Sequence, residues 1–213
     1  MAYVNLKKYE AAISDFTKVL EIEPSTGTSS NYRVMSFYNR GLSYFKSRKF
    51  EAAIADFESL IKIAPDSNKE EIKNLLAETK KIKEEEAKYN TRNEYYNLGI
   101  EQREQGKFDE AIVSASKCLE LDSVAHSCYL LRGLSYYSKL NFDAAIKDFT
   151  ECIRLKPSDA QNYRLRAENY IEKKNYDAAI KDLSSSFSLK YDRKTKERID
   201  EVKQLKEKEN NKP

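Results

Sequence analysis

A chain of 213 residues is long enough for one ordinary domain or two small ones. Its 38 basic and 35 acidic side chains nearly cancel, to a net charge of +3. That is a mixed solvated surface, not the one-sided basic footprint of a nucleic-acid-binding protein. Five glycines and four prolines are too few for a strand-and-turn architecture, and the good helix formers Lys, Glu, Ala and Leu dominate. No apolar run approaches the roughly 18–20 residues of a membrane span, and the start, MAYVNLKKYE, lacks a signal-peptide core. A cytoplasmic, reducing setting without membrane insertion is the resulting expectation.

Along the chain one phrase recurs five times: aromatic, acid, any residue, Ala, Ile. It reads YEAAI at Tyr9–Ile13, FEAAI at Phe50–Ile54, FDEAI at Phe108–Ile112, FDAAI at Phe142–Ile146 and YDAAI at Tyr176–Ile180. The aromatics are 41, 58, 34 and 34 residues apart, and recurrence at such a period signals stacked structural repeats. Around Phe142, apolar residues fall at helical spacing on both sides, over Tyr129–Tyr137 and Ala145–Leu155. The tight link Ser138–Asn141 joins them, and Pro157 stops the second helix because it cannot continue the hydrogen-bond ladder. Pro24 and Pro65 stand in the same position of earlier copies.

Each recurring residue has a role in such a two-helix unit. Gly41, Gly99, Gly133 and Ala167 stand nine residues before the aromatic, and Ala12, Ala53, Ala111, Ala145 and Ala179 three after it. Both positions are small enough for two helices to cross closely. Tyr44, Tyr136 and Tyr170, with Phe16, Phe57, Phe149 and Leu183, fill the space between helices. The acid after the aromatic (Glu10, Glu51, Asp109, Asp143, Asp177) complements the dipole of the helix it opens.

The irregular intervals divide the chain. A polar, turn-rich stretch, Pro24–Asn31, accounts for the first as a longer loop. The second leaves room for one more helix, at about 68–88, with an apolar stripe of Ile72, Leu75, Leu76, Thr79 and Ile82. A similar segment at about 192–209 carries Ile199, Val202 and Leu205, and helices of this kind cap repeat arrays. The reading is two arrays. Residues 1–89 hold a truncated first repeat, a second repeat and the cap or linker, and 90–213 hold repeats at about 92–125, 126–159 and 160–191 and a C-terminal cap. One continuous superhelix with an inserted helix is the alternative. The first helix begins halfway along, so either Met1 opens a natural half-helix or the chain is a fragment of a longer protein, and self-association through the uncapped first repeat is a further expectation.

The three cysteines are too few and too far apart for a disulfide framework or a zinc site. Cys118 and Cys152 occupy one slot in successive copies and read as small buried hydrophobes. Catalysis has no foothold: there is one histidine, no nucleophile elbow, and no clustered carboxylate beyond surface runs such as Glu84–Glu86. The glycines and lysine between Gly99 and Phe108 lack phosphate-loop spacing and read as repeat packing. No cofactor and no metal are expected.

These copies, with small residues at the crossing and a terminal proline, resemble the tetratricopeptide repeat family. The resemblance implies an all-α, right-handed superhelical solenoid of helical hairpins, here five repeats plus two capping or linker helices. Gln102, Ala115, Ser123 and Tyr191 depart from the pattern and bear on the packing of the third and fifth copies. It also implies a non-catalytic scaffold or adaptor that binds a peptide or protein segment on the first helix of each pair. In the second array that face comprises Asn93, Tyr96, Asn97, Ile100 and Arg103, then Leu130, Leu131, Leu134 and Tyr137, then Arg164 and Glu168. The alternative for Leu130 and Leu134 is packing between neighbouring first helices.

Some co-chaperones of the family clamp the C-terminal carboxylate of a heat-shock chaperone. Asn39, Lys69 and Lys73 match part of that clamp, but its first-repeat Asn slot is Met1 and its first Lys slot precedes the chain. A regulatory module cut from a larger enzyme is the third reading.

Overall fold

A computed structural model of the chain describes residues 2–22 and 30–211. Every regular element among them is an α-helix: α1 (Ala2–Ile22), α2 (Ser30–Lys46), α3 (Phe50–Ile63), α4 (Asp66–Glu104), α5 (Phe108–Leu121), α6 (His126–Ser138), α7 (Phe142–Leu155), α8 (Ala160–Glu172), α9 (Tyr176–Leu189) and α10 (Arg193–Asn210). They form two compact units, Met1–Ala87 and Lys88–Pro213, and α4 contributes its first part to one and its second part to the other.

Two helices differ from expectation. Residues 2–22 make a single helix, with no hairpin turn ahead of Tyr9. The helix expected at about 68–88 does not stop there: α4 runs unbroken for 39 residues into the first helix of the third repeat. The reason lies in composition, since neither Gly nor Pro occurs between Asp66 and Leu98 and nothing interrupts the hydrogen-bond ladder. Pro24 and most of the polar stretch around it lie outside the described residues, while Ser30 and Asn31 already belong to α2.

The hairpin turns share one geometry. Arg48, Gly106, Leu140 and Lys174, each two residues before the recurring aromatic, adopt positive φ of 57–76°. At Leu140 the turn closes with Leu140 N donating to Tyr137 O at 2.9 Å and Asn141 N to Tyr136 O at 2.9 Å, the bonding of a Schellman cap. A Cβ at Gly106 would meet nothing within 4 Å. This glycine therefore serves the turn, not repeat packing. Asn141 and Asn175 then cap α7 and α9, accepting from Ala144 N and Ala178 N.

Helix crossings follow the small residues. A Cβ on Gly41 would come within 2.6 Å of the Phe57 ring, and one on Gly133 within 3.0 Å of Phe149. In the third repeat Ala115 replaces the aromatic, and the space over Gly99 is filled from the next helix by Leu131 Cδ2, at 2.8 Å from a built Cβ. In the first unit Ile72, Leu75 and Leu76 of α4 cover the Ala53–Phe57–Leu60 core. In the second, Val202 and Ile199 of α10 cover Ala167, Ala179 and Leu183.

Two repeated ion pairs add to this packing. Arg40, Arg132 and Arg166 each grip the aspartate sixteen residues on, Asp56, Asp148 and Asp182, through both carboxylate oxygens at 2.7–2.9 Å. The remaining guanidinium nitrogen donates to a hydroxyl on the preceding second helix: Thr17 at 3.0 Å, Ser116 at 3.2 Å and Thr150 at 3.0 Å. The fork thus ties three helices. Hydrogen bonds to the carboxylates raise the pKa of all three arginines. Burial pushes the Asp148 carboxyl above its ordinary value, with Arg132 pulling the other way.

The second pairing involves the acids of the recurring phrase. Lys49, Lys83, Lys139, Lys173 and Lys206 meet Glu10, Glu51, Asp109, Asp143 and Asp177. These acids reach across to the next helical element as well as facing a helix dipole.

The third repeat carries Leu98 and Ser114 where the others carry Arg and Asp; there Ser114 donates to Gln102 at 2.7 Å. Removing one partner of a buried pair strands the other charge, whereas replacing both is tolerated far better. Arg132→Leu should therefore cost about 3 kcal/mol in urea unfolding. Adding Asp148→Ser should recover a substantial part of that loss. A double variant as unstable as the sum of the singles would contradict this account.

Candidate functional site

In the second unit the first helices are the second part of α4, then α6 and α8. Leu131 is buried, 5% exposed, against Gly99 and does not belong to an open binding face. That corrects the expectation from sequence, and the cause is Ala115, which left a space for Leu131 to fill. Leu130 and Leu134 pack against the Ala145–Phe149–Cys152 core beside Leu165. Tyr137 sits with its ring 6.0 Å from Phe142 and is partly exposed. Tyr96 packs on the core around Cys118 and Ala125.

Of the other expected residues, Asn93 accepts from Arg92 at 3.0 Å, and Arg92 pairs with Asp122 at 2.6 Å. Asn97 is exposed and Ile100 half-buried. The Arg103 Nε is buried without a hydrogen-bond partner among the described residues.

Arg164 and Glu168 lie together where α8 faces α10. Glu168 is held by both arms of Arg198, at 2.6 and 3.1 Å. Arg164 reaches Asp192 at 3.5 Å and also contacts Gln161. Leu165 and Leu183 form the apolar floor of a cavity of about 340 Å³, walled by Arg164, Glu168, Lys194 and Arg198. A second cavity of about 580 Å³ shares Gln161, Arg164, Lys194 and Thr195 and extends to Lys190 and Leu189. The sequence carried a signal for this crevice in Lys194 and Arg198, four apart on one face of the cap.

In the first unit, Asn39 donates its side-chain amide to Met35 O at 2.8 Å. It lines a cavity of about 420 Å³ with Met35, Tyr38, Leu60, Asn68 and Ile72 among others. Lys69 and Lys73 are not among the residues lining that cavity; they pair with Asp66 at 2.8 Å and Glu70 at 3.6 Å. The three residues matching a carboxylate clamp are thus not gathered at one cavity.

The cysteines depart from expectation. Cys118 and Cys128 are joined by a disulfide, with Cα atoms 6.2 Å apart. The short link between repeats brings the last turn of α5, a second helix, against the first turn of α6, the following first helix. The bond persists in oxidising surroundings and opens where glutathione keeps thiols reduced. Cys152 is free and buried, and burial pushes its thiol up to about 12, so it stays protonated and unreactive.

Models of the family described as Tetratricopeptide repeat match residues 1–26, 34–67, 93–123 and 130–185, more than half of the chain together. The protein belongs to the tetratricopeptide repeat family. Among curated proteins none matches this sequence. Similar solved structures include the first TPR of Spaghetti (RPAP3) bound to the HSP90 peptide SRMEEVD, at 20% identity and TM-score 0.52, over 55% of this chain and 93% of that one. The N-terminal domain of stress-induced protein-1 from C. elegans is similar at 16% identity and TM-score 0.52, over 55% of this chain and 98% of that one. The second TPR domain of human RPAP3, in complex with the HSP70 peptide SGPTIEEVD, is similar at 17% identity and TM-score 0.50, over 56% and 98%. At these identities the likeness is one of fold. Among the described residues no helix is long and apolar enough to cross a membrane.

His126 supplies a local probe of the second unit. Its Nε2 lies 3.1 Å from Asn162 Nδ2 and 3.3 Å from Asn162 Oδ1. Burial, aided by Lys156, lowers its pKa below the ordinary 6.5. A histidine whose folded pKa is depressed contributes stability that is full above its unfolded value and drains away as pH falls through the folded one. The expected NMR titration midpoint of this single histidine is below 6.5, and a midpoint at or above that value would contradict the burial.

Proposed function

We propose that the chain is a non-catalytic interaction scaffold that holds an extended peptide or protein segment against the first helices of its second unit. One observation carries the reading. The residues that repeat are engaged inside or between hairpins, while those at the first-helix surface differ from copy to copy. Asn97, Ile100, Arg164 and Glu168 are the candidate contacts, with Tyr137 at the hairpin end. Peptide recognition by such a face uses a few apolar anchors flanked by polar contacts.

A second reading, a clamp for the C-terminal carboxylate of a chaperone tail, draws support from the peptides held by the two RPAP3 domains. It would place Asn39, Lys69 and Lys73 at the ligand, and needs both lysines to leave their present acidic partners. Binding of a peptide ending in EEVD that is lost on amidating its C-terminus, and lost in Lys73→Ala, is what this reading requires.

The scaffold reading is tested by selecting displayed peptides on the intact chain. Ile100→Glu should weaken the selected peptides at least tenfold. Val113→Glu, at an exposed position of the second helix α5, should leave them unchanged, with circular dichroism confirming that both variants fold. No enrichment, or equal losses in the two variants, would overturn it.

A further inference from the structure

We infer that the crevice between α8 and α10 recognises the side-chain carboxylates of an acidic, leucine-bearing peptide segment. This deepens, and rests on, the scaffold reading. The charges facing the crevice do not cancel locally. Glu168 is fully engaged by Arg198. Asp192 caps α10, accepting from Lys194 N, Thr195 N and Thr195 Oγ1, and these hydrogen bonds hold its carboxyl below the ordinary range. Asp159 caps α8 through Gln161 N.

On the cationic side, neither Lys190 nor Lys194 has a side-chain ion-pair partner among the described residues, and Arg164 reaches Asp192 only at 3.5 Å. The crevice thus sets four cations, Arg164, Lys190, Lys194 and Arg198, against three carboxylates, Asp159, Glu168 and Asp192, and Lys190 and Lys194 are the two left without an ion pair among the described residues, Lys194 beside the floor made by Leu165 and Leu183. An anion placed between Lys190 and Lys194 gains charge-assisted hydrogen bonds without displacing an existing pair. An adjoining leucine would cover the floor.

The two cavities share four lining residues and so form a continuous trough from Leu165 to Lys190. The proposed occupant is an internal segment with carboxylate side chains, and the free-terminus peptide below separates it from a chain end.

The test uses the full chain and fluorescein-labelled octapeptides of alternating leucine and glutamate: one amide-capped, one with a free C-terminus, and one capped with glutamine replacing glutamate. Anisotropy should show the capped glutamate peptide binding at least tenfold more tightly than the glutamine peptide, with the advantage shrinking from 50 to 300 mM salt as screening rises, about 10 Å being the Debye length near 0.1 M. The double variant Lys190→Glu, Lys194→Glu should abolish that advantage. Lys181→Glu, on exposed α9 surface, should not, and unchanged melting temperatures would confirm intact folds.

Three results would overturn the inference: equal affinity for the glutamate and glutamine peptides, indifference to the double charge reversal, or binding only with a free terminal carboxylate. If the glutamate peptide does not bind while selected peptides still respond to Ile100→Glu, this inference falls and the scaffold reading stands. If selection also fails, both fall.

Discussion

A guanidinium gripped by both oxygens of an aspartate, with its spare nitrogen on a hydroxyl of the preceding hairpin, is the contact around which the repeats are organised. The fork fixes the two helices of a hairpin relative to each other, at Arg40–Asp56, Arg132–Asp148 and Arg166–Asp182. Through Thr17, Ser116 and Thr150 it also sets the neighbour. Arginine suits this position because its planar donors match a carboxylate bidentately while leaving one free. Charges this far from water are costly unless every partner is present. Correct stacking is thus coupled to electrostatic satisfaction.

The third repeat shows what happens without the fork. Leu98, Ser114 and Ala115 replace Arg, Asp and the aromatic together, and the hairpin is closed by a neutral Ser114–Gln102 bond and by Leu131 arriving from α6. These substitutions compensate one another. The Cys118–Cys128 bond ties the same repeat to the next, at a position where the next copy joins Cys152 and Asn162 through a hydrogen bond from Asn162 Nδ2 to Cys152 O at 3.2 Å. One slot therefore holds either a covalent or a polar link between a second helix and the following first helix.

Much of the fold was legible because helical hairpins advertise themselves through local pattern. The Gly and Ala crossings, the turn before each aromatic and the caps Ile72 and Val202 all follow from side-chain size and 3.6-residue periodicity. The Arg–Asp fork was legible in principle as well, since RGLSY recurs at Arg40 and Arg132 and is followed sixteen residues after each arginine by the aspartate of AIADF (Asp56) and AIKDF (Asp148). The pattern is masked because charged residues on an amphipathic helix ordinarily face solvent. Leu131 could not be placed from its own hairpin, since its burial depends on an alanine sixteen residues earlier in another helix. The α8–α10 crevice escaped for a similar reason: Arg198 and Lys194 acquire meaning only opposite Glu168 and Arg164.

The sequence by itself determined the helical class, the hairpin period, and the small residues at which helices cross, because these depend on contacts within or between adjacent elements. Tertiary structure decided the exchange of Leu131 for the missing aromatic, the Cys118–Cys128 pairing and which cations are left unneutralised beside α10. Each of those depends on distances between residues far apart in the chain. A charge or a thiol is defined chemically by its neighbours in space, and a linear pattern does not specify them.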